Sequence, residues 1–174
     1  TEALRLKEIP KKLIIIGGGV IGLELGQVYN RLGSEISVIE YADRITPLMD
    51  SSISRELTKV FKKHGFKFYL NHKVNKVERD GKDVIVNALD DKDQEMSLTA
   101  NYCLVSVGRK PYTENLGLEN VNIDLNQNGQ IQINDYLQTS ESNIYAIGDV
   151  VRGTMLAHKA EEEGVMVAEI LAGQ

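Results

Sequence analysis

The chain has 174 residues, of which 42% are hydrophobic and 26% are charged, and its formal net charge is -5. This length and apolar content suffice for the core of one domain, or of one domain and part of a second. Acidic and basic residues are interspersed without a basic block, which argues against binding to nucleic acid or to an anionic membrane surface. The sequence has no apolar run long enough to span a membrane and no signal-peptide pattern, so we expect a soluble protein.

The first predicted elements surround a glycine-rich motif. Residues 13 to 16 form an apolar run that predicts a buried strand, and Gly17, Gly19 and Gly22 follow in the spacing GxGxxG. The first glycine permits a tight turn, the second lets the backbone approach a pyrophosphate, and the third lets a helix pack on the strand. The helix is predicted from Val20 to about Leu32, and its free N–H groups and dipole favour an anion.

GxGxxG alone is a weak indication, because glycine-rich turns also occur for steric reasons, but the segment that follows supplies the context. SEISVIEYADR predicts a second strand that ends near Glu40, close to 20 residues after Gly22. An acidic residue at this position binds the adenosine ribose in dinucleotide-binding βαβ units. The alternative is an ordinary exposed carboxylate at a strand end. Arg44 is the only arginine nearby, and a site for NADP favours several, so we expect NAD.

The next segments predict a helix and a series of short strands. An amphipathic, N-capped helix is predicted over residues 50 to 64 and ends at Gly65. Its apolar face is predicted to hold Ile53, Leu57, Val60 and Phe61. FKFYL predicts one more parallel strand, and KVNKVERD, DVIVNAL and EMSLTA predict an antiparallel meander. NYCLVSVG is continuously apolar and predicts a parallel strand that is buried on both faces.

These elements predict an α/β fold. Residues 1 to 112 would form a Rossmann-like, three-layer NAD-binding domain with a parallel sheet, helices and an antiparallel β-meander, after a short lead-in over residues 1 to 10. Residues 113 to 174 would form a separate C-terminal segment.

Two later motifs point to a second site. GRKP, at residues 108 to 111, follows the last parallel strand, at the carboxyl edge where ligands bind in open α/β sheets. IYAIGD predicts a short strand that ends in Gly148 and Asp149, and the helix after it starts near residues 155 to 158. An aspartate at a strand end before a helix start suggests a site for a polyol and an anion. The alternative is that Asp149 caps the following turn.

Other polar and nucleophilic residues carry simpler predictions. Cys103 is the only cysteine, which excludes an intrachain disulfide and a CxxC motif, and its apolar surroundings predict a core position. His64 and His72 have no second ligand at suitable spacing, so no metal site is predicted. Glu161 to Glu163 are predicted to form a solvated helix face.

Five segments are shared with a known family: GGGVIGLELG, VIEYADRI, VSVGRKPYTENLGLENV, NIYAIGDV and MLAHKAEEEG. Through them the chain resembles the NAD-binding region of the dihydrolipoamide dehydrogenases, flavoproteins of the pyridine nucleotide-disulfide oxidoreductase family. The resemblance covers nearly the whole chain. GxGxxG and GRxP belong to the wider family, whereas GRKPYTENLGLE with MLAHKAEEEG is specific to the lipoamide branch.

The resemblance implies contacts to NAD along the first part of the chain. The pyrophosphate would lie on Gly17, Gly18, Gly19, Val20, Ile21 and Gly22. The adenosine would meet Glu40 through its ribose and the backbone of Val74 through its adenine. The nicotinamide would be bordered by Glu24, Ser106, Val107, Gly108 and Arg109.

Contacts to FAD are implied by the same resemblance in the second part of the chain. Asp149 would bind the ribityl chain. The flavin ring would lie over Met155, Leu156, Ala157 and His158, whose amides stabilise negative charge on the ring.

The implied activity is that of an oxidoreductase, which oxidises protein-bound dihydrolipoamide through a redox disulfide and FAD and passes hydride to NAD. The implied partners are a second copy, in a homodimer, and the lipoyl domains of 2-oxoacid dehydrogenase complexes or of the glycine cleavage system. The implied location is the bacterial cytoplasm or the mitochondrial matrix. The alternatives are another reductase of the family, of mercuric, glutathione or thioredoxin type, and a stand-alone dinucleotide-binding module.

The family's redox cysteine pair and acid–base histidine match no residue of this chain, so no catalytic residue is assigned. We therefore expect a fragment of the enzyme that is inactive by itself. In it, residues 113 to 174 would be an incomplete part of the FAD domain.

Overall fold

The computed structural model describes residues 2 to 174, which form two compact units that meet in sequence between Gly108 and Arg109. The helices and strands are, in chain order, β1 (Lys12–Ile16), α1 (Val20–Arg31), β2 (Glu35–Ile39), α2 (Ser51–Lys63), β3 (Lys67–Tyr69), β4 (Lys73–Asp80), β5 (Asp83–Leu89), β6 (Glu95–Ala100), β7 (Tyr102–Val105) and α3 (Ala157–Leu171). Short 3₁₀ turns lie at Glu2–Arg5, Leu118–Val121 and Gly148–Val150.

The first unit is built on a four-stranded parallel sheet with the strand order β3-β2-β1-β7. The central strand β1 places Ile16 opposite Ile39 of β2 and opposite Val105 of β7. Helices α1 and α2 pack on one face of this sheet, and the antiparallel sheet β4-β5-β6 packs on the other. The predicted α/β fold, with its three layers and its meander, is confirmed.

Strand β1 is continuously apolar because both of its faces are covered. Leu13 and Ile15 point into the cluster formed with the helices, and Ile14 and Ile16 point into the cluster formed with the meander. None of the four is more than 9% exposed. A strand in the middle layer of three has no face for polar side chains.

Helix α2 is N-capped, as predicted, but its predicted apolar face is partly wrong. The carboxylate of Asp50 accepts the N–H of Ser52 at 2.8 Å and so caps the helix. Ile53 and Val60 are 54% and 45% exposed, whereas Ser54 is completely buried. Burial of a serine is tolerated because its hydroxyl finds partners in the loop before the helix. The buried stripe is therefore narrower than the apolar pattern indicates.

Two of the predicted strands differ from the prediction. Strand β7 is parallel, but it is half-buried, and Val105 is 63% exposed, because β7 lies at the edge of the sheet. Residues 144 to 147 do not form a strand. Their bridge pairs Tyr145 with Gln138, and the chain then enters the turn at Gly148–Val150. A single bridge between two loops gives too little pairing for a strand.

The second unit has a small core of its own, formed by Ile123, Ile131, Ala146 and Val151. Helix α3 contributes no fully buried residue. Among residues 2 to 174, no helix is long and apolar enough to cross a membrane.

Candidate functional site

The glycine-rich turn joins the carboxyl end of β1 to the start of α1. Gly17 has φ 101°, and a Cβ there would lie 2.5 Å from the carbonyl oxygen of Ser106. A Cβ on Gly22 would lie 2.6 Å from the carbonyl oxygen of Gly17, so α1 approaches the turn as closely as the backbone allows. A Cβ on Gly19 would meet no atom within 4 Å. The turn is therefore closed on its inner side and open at Gly19, where a ligand can approach.

The backbone N–H groups of the turn fall into two sets. Those of Gly17 and Gly18 donate to the last carbonyl of β2, at 2.9 Å, and to Oε2 of Glu40, at 2.5 Å. Those of residues 19 to 22 have no acceptor within residues 2 to 174, since the first bond of the helix is donated by Leu23. Four free N–H groups at the positive end of a 12-residue helix favour a bound phosphate.

Glu40 is half-buried and lies directly after β2, beside the turn. Its Oε2 accepts the N–H of Gly18, and its Oε1 accepts the N–H of Ala42 at 2.8 Å. Each carboxylate oxygen can accept a second hydrogen bond. The carboxylate is thus held in place by the backbone and can still accept bonds from ligand hydroxyls.

Ser106, just after β7, supports the turn from its inner side. Its N–H donates to the carbonyl of Ile16 at 2.8 Å, and its hydroxyl lies 3.1 Å and 3.2 Å from the carbonyls of Ile16 and Gly17. The side chain of Ser106 therefore faces the turn, while Val107 and Gly108 are exposed.

The other NAD-assigned residues of the first unit lie on different elements. Glu24 is exposed on α1, one turn after the free N–H groups. Val74 is half-buried on β4 and packs against the cluster between the sheet and the meander.

In the second unit, the turn at Gly148–Val150 presents Asp149. The carboxylate of Asp149 accepts a hydrogen bond from Nη2 of Arg109 at 2.7 Å. The family resemblance implied different cofactors for these two residues, NAD for Arg109 and FAD for Asp149, whereas the structure pairs them. Both side chains are partly exposed, at 58% for Arg109 and 39% for Asp149. The pair therefore orients the carboxylate more than it stabilises the fold.

An ion pair between Lys159 and Glu163, which was not predicted from the sequence, holds this turn. Glu163 accepts the N–H of Gly148 at 2.7 Å with one carboxylate oxygen and contacts Nζ of Lys159 at 2.9 Å with the other. Lys159 also donates to the carbonyls of Gly148 and Arg152. The side chains of Lys159 and Glu163 are only 19% and 16% exposed, so the prediction of a solvated face is wrong for Glu163. The spacing of four residues between Lys159 and Glu163 could have indicated this ion pair, because side chains four residues apart are neighbours on a helix.

The start of α3 lies after this turn. Met155 is half-buried, and Leu156, Ala157 and His158 are exposed. The first bond of the helix is donated by the N–H of Ala160 to the carbonyl of Leu156. Within the described part of the chain, the N–H groups of residues 157 to 159 therefore have no acceptor. Free N–H groups at the start of a helix favour binding of an anionic group.

Cys103 is half-buried on β7, beside the cluster between the sheet and the meander. Burial raises the pKa of its thiol to about 11, so the thiol is protonated at neutral pH and is a poor nucleophile. Residues 2 to 174 contain no group of three or more histidine, cysteine, aspartate or glutamate side chains that could hold a metal ion.

Comparison with known proteins finds relatives along the whole chain. The mitochondrial dihydrolipoyl dehydrogenase of Caenorhabditis elegans is 46% identical over 175 residues, which make up 99% of this chain and 35% of that protein. The mitochondrial dihydrolipoyl dehydrogenase of Homo sapiens is 46% identical over 177 residues, with the same coverage. The chain thus spans about a third of the length of these curated relatives.

Solved structures give the same picture. The HOCl-induced flavoprotein disulfide reductase RclA of Escherichia coli, as its Cu(II) complex, superposes with a TM-score of 0.91 at 29% identity and covers all of this chain and 39% of that one. LpdA of Mycobacterium tuberculosis superposes with a TM-score of 0.87 at 28% identity, over 98% of this chain and 36% of that one.

The sequence pattern of one protein family accounts for almost all of the chain, from residue 1 to residue 164. The match includes the glycine-rich turn, Glu40 and the turn that presents Asp149. With these residues in one matched region, the chain belongs to the pyridine nucleotide-disulphide oxidoreductase family.

Proposed function

We propose that the chain is the NAD-binding part of a dihydrolipoyl dehydrogenase. The parent enzyme oxidises protein-bound dihydrolipoamide through a redox disulfide and FAD and passes hydride to NAD. One observation carries this proposal: the four free N–H groups of residues 19 to 22 directly follow Gly18, whose own N–H holds the carboxylate of Glu40. The redox chemistry belongs to the bound cofactors, and the chain's residues bind and orient them.

The proposed NAD site combines backbone N–H donors with one carboxylate acceptor. The free N–H groups of residues 19 to 22 bind the pyrophosphate, while Gly17 and Gly18 hold the shape of the turn. Glu40 accepts hydrogen bonds from the ribose hydroxyls with the acceptor positions that the backbone leaves free. The backbone of Val74 contacts the adenine. Glu24 and residues 106 to 109 border the nicotinamide.

NAD is preferred over NADP for an electrostatic reason. A 2′-phosphate would replace the hydroxyl that faces Glu40, and the carboxylate would repel it. The one arginine close by, Arg44, already hydrogen-bonds the carboxylate of Asp43 and the carbonyl of Pro47. Both Nη atoms of Arg44 thus already have acceptors within the chain.

The residues of the second unit fit one half of a flavin site. Asp149 binds the ribityl hydroxyls and is oriented by Arg109. The N–H groups at the start of α3, within the segment 155 to 158, stabilise negative charge on the flavin ring. The pair of Lys159 and Glu163 supports this role, because it hydrogen-bonds both the N–H and the carbonyl of Gly148 in the turn that carries Asp149.

The relatives favour the lipoamide substrate, since curated proteins that share 46% identity with this chain are dihydrolipoyl dehydrogenases. The proposed partners are lipoyl domains of 2-oxoacid dehydrogenase complexes or of the glycine cleavage system, and a second copy in the parent homodimer. The proposed location is the mitochondrial matrix, as the names of the relatives suggest, or the bacterial cytoplasm.

Calorimetric titration of the chain with NAD and with NADP tests the proposal. We expect NAD to bind more tightly than NADP, and Glu40→Ala to weaken NAD binding about tenfold or more, because hydrogen bonds to a charged group are lost. Glu40→Gln keeps an acceptor but loses the charge, and should reduce the preference for NAD. Glu35→Ala is the matched control, since it removes an exposed carboxylate at the other end of β2.

Two results would contradict the proposal. One is that the unsubstituted 174-residue chain binds neither NAD nor NADP. The other is equal NAD affinity in Glu40→Ala and Glu35→Ala, which would remove Glu40 from the site.

A further inference from the structure

We propose that Thr46 and Ser54 form a buried positioning pair that holds the glycine-rich turn and Glu40 in their binding geometry. The proposal deepens the proposed function and rests on it for the identity of the ligand. Thr46 and Ser54 are 3% and 0% exposed, and their hydroxyl oxygens lie 3.0 Å apart. Neither residue was assigned to the site from the sequence.

The pair fixes a loop whose backbone is strained. Thr46 has φ 45°, a left-handed conformation that is rare for a β-branched residue. The hydroxyl of Ser54 lies 3.2 Å from the carbonyl oxygen of Thr46 as well as near its hydroxyl. Ser54 is in the first turn of α2, where its own N–H donates to the carbonyl of Asp50. Helix α2 thus holds the hydroxyl of Ser54 where it contacts both the hydroxyl and the carbonyl oxygen of Thr46.

Thr46 passes this constraint to the glycine-rich turn. Its N–H donates to the carbonyl of Gly18 at 2.9 Å, and the N–H of Gly18 donates to Oε2 of Glu40 at 2.5 Å. A Cβ on Gly18 would lie 3.1 Å from Cγ2 of Ile45 and 3.2 Å from Oε2 of Glu40, so the three segments are in close contact. Both polar groups of Gly18 are engaged, and neither has freedom to turn toward a ligand.

The hydrogen bonds therefore run in sequence from Ser54 through Thr46 and Gly18 to Glu40. They connect helix α2 with the phosphate-facing turn and with the ribose-facing carboxylate. A ligand that needs both at once binds more tightly when their separation is fixed before it arrives. The pair does not touch the ligand and acts only through Gly18.

The test compares three single variants and one double variant of the full chain. Thr46→Val keeps the branched shape but removes the hydroxyl, Thr46→Ser keeps the hydroxyl, and Ser54→Ala removes the partner. We expect Thr46→Val and Ser54→Ala each to weaken NAD binding about three- to tenfold, as for one lost hydrogen bond. Thr46→Ser should bind NAD as the parent does. The double variant Thr46→Val with Ser54→Ala should lose little more than Ser54→Ala alone, because the two changes remove a shared contact.

Thr139→Val is the matched control. It removes another buried threonine hydroxyl, which contacts carbonyls of Glu141 and Ile144 in the second unit. It should lower thermal stability without changing NAD affinity. A purely structural role for Thr46 would give the same pattern as this control.

Hydrogen exchange of the Gly18 amide is the second readout, and it does not depend on NAD. We expect faster exchange in Thr46→Val and Ser54→Ala than in the parent chain and Thr139→Val. Unchanged exchange of Gly18 together with unchanged NAD affinity would overturn the proposal. If the parent chain bound no dinucleotide, the proposed function would fail, and the exchange rates alone would decide whether the pair positions Gly18.

Discussion

Single residues decide how closely the chain can surround a ligand in the first unit. Gly22 allows α1 to reach the turn, since a Cβ there would also lie 2.5 Å from Oγ of Ser106 and 2.9 Å from Cγ2 of Ile15. Gly19 has ordinary backbone angles and no neighbour at its Cβ position. The two glycines of one motif therefore serve different purposes, one in packing and one in access.

Replacing each of these glycines by alanine should separate the two purposes. Gly22→Ala should destabilise the first unit by about 1–3 kcal/mol, because the backbone of Gly17 has to move, and should weaken NAD binding as well. Gly19→Ala should leave stability nearly unchanged and weaken NAD binding alone. Urea unfolding and calorimetry on both variants check this. Equal stability losses would show that the steric assignment is wrong.

At the level of elements, the site is built where two neighbouring strands end. The turn follows β1 and Glu40 follows β2, and the two strands pair in register up to Ile16 and Ile39. Their carboxyl ends lie at the same edge of the sheet, which brings the free N–H groups of the turn and the carboxylate of Glu40 to the same edge. Helix α2 completes this arrangement, because Ser54 and the N-cap Asp50 both stand in or next to its first turn.

The cap of α2 predicts a pH dependence. Hydrogen bonds from the hydroxyl and the N–H of Ser52 lower the pKa of Asp50. Because the pKa of Asp50 is lower in the folded chain than in the unfolded chain, the ionised cap stabilises the fold at pH values above the unfolded-state pKa. This stabilisation is lost as pH falls through the folded-state pKa. Asp50→Ala should therefore lower the melting temperature near neutral pH, and the difference from the parent should shrink in acid.

Asp91→Ala is the control for this effect, because Asp91 is exposed in the turn between β5 and β6. It should leave the melting temperature unchanged at every pH. A difference between Asp50→Ala and the parent that stays constant down to strongly acidic pH would show that ionisation of Asp50 does not contribute to the cap.

At the level of the whole molecule, each unit has its own apolar core. The first has two clusters, one on each face of the parallel sheet, and the second has the small cluster around Ile131 and Val151. A probe on the parallel sheet therefore reports the unfolding of the first unit. Cys103 on β7 is such a probe, since it is the only cysteine of the chain.

Alkylation of Cys103 should follow unfolding. Burial raises the pKa of the thiol from 9.0 to about 11, so the thiolate fraction in the folded chain at pH 8 is about a hundredfold lower than in the unfolded chain. The folded chain keeps this thiol proton to a higher pH than the unfolded chain does. The free energy of unfolding therefore falls as pH rises above the thiol pKa of the unfolded chain. We expect slow modification in buffer and fast modification in urea. At intermediate urea concentrations, NAD should slow the alkylation of Cys103, because a ligand that binds the folded chain lowers the unfolded fraction. Equal rates in buffer and in urea would contradict the burial of Cys103.

Much of the fold could be predicted from local patterns. The continuous apolar run of β1, the glycine spacing and the acidic residue after β2 predict a βαβ unit, because these features reflect chain-local sterics and burial on two faces. The alternating runs after residue 72 likewise predicted the meander. The resemblance to a known family supplied the assignment of the second unit, where the strand predicted over residues 144 to 147 is absent.

Other features were decided only by the tertiary structure. The burial of Ser54, the exposure of Ile53 and the pairing of Arg109 with Asp149 depend on residues that are distant in sequence, and no period or motif encodes them. The same holds for the strained Thr46. Local chemistry was enough to identify the glycine-rich turn and the acidic residue after β2 as candidates for a dinucleotide site, because each of these signals lies within one segment. The tertiary structure decided which N–H groups remain free and what holds them, because hydrogen-bond partners are set by packing.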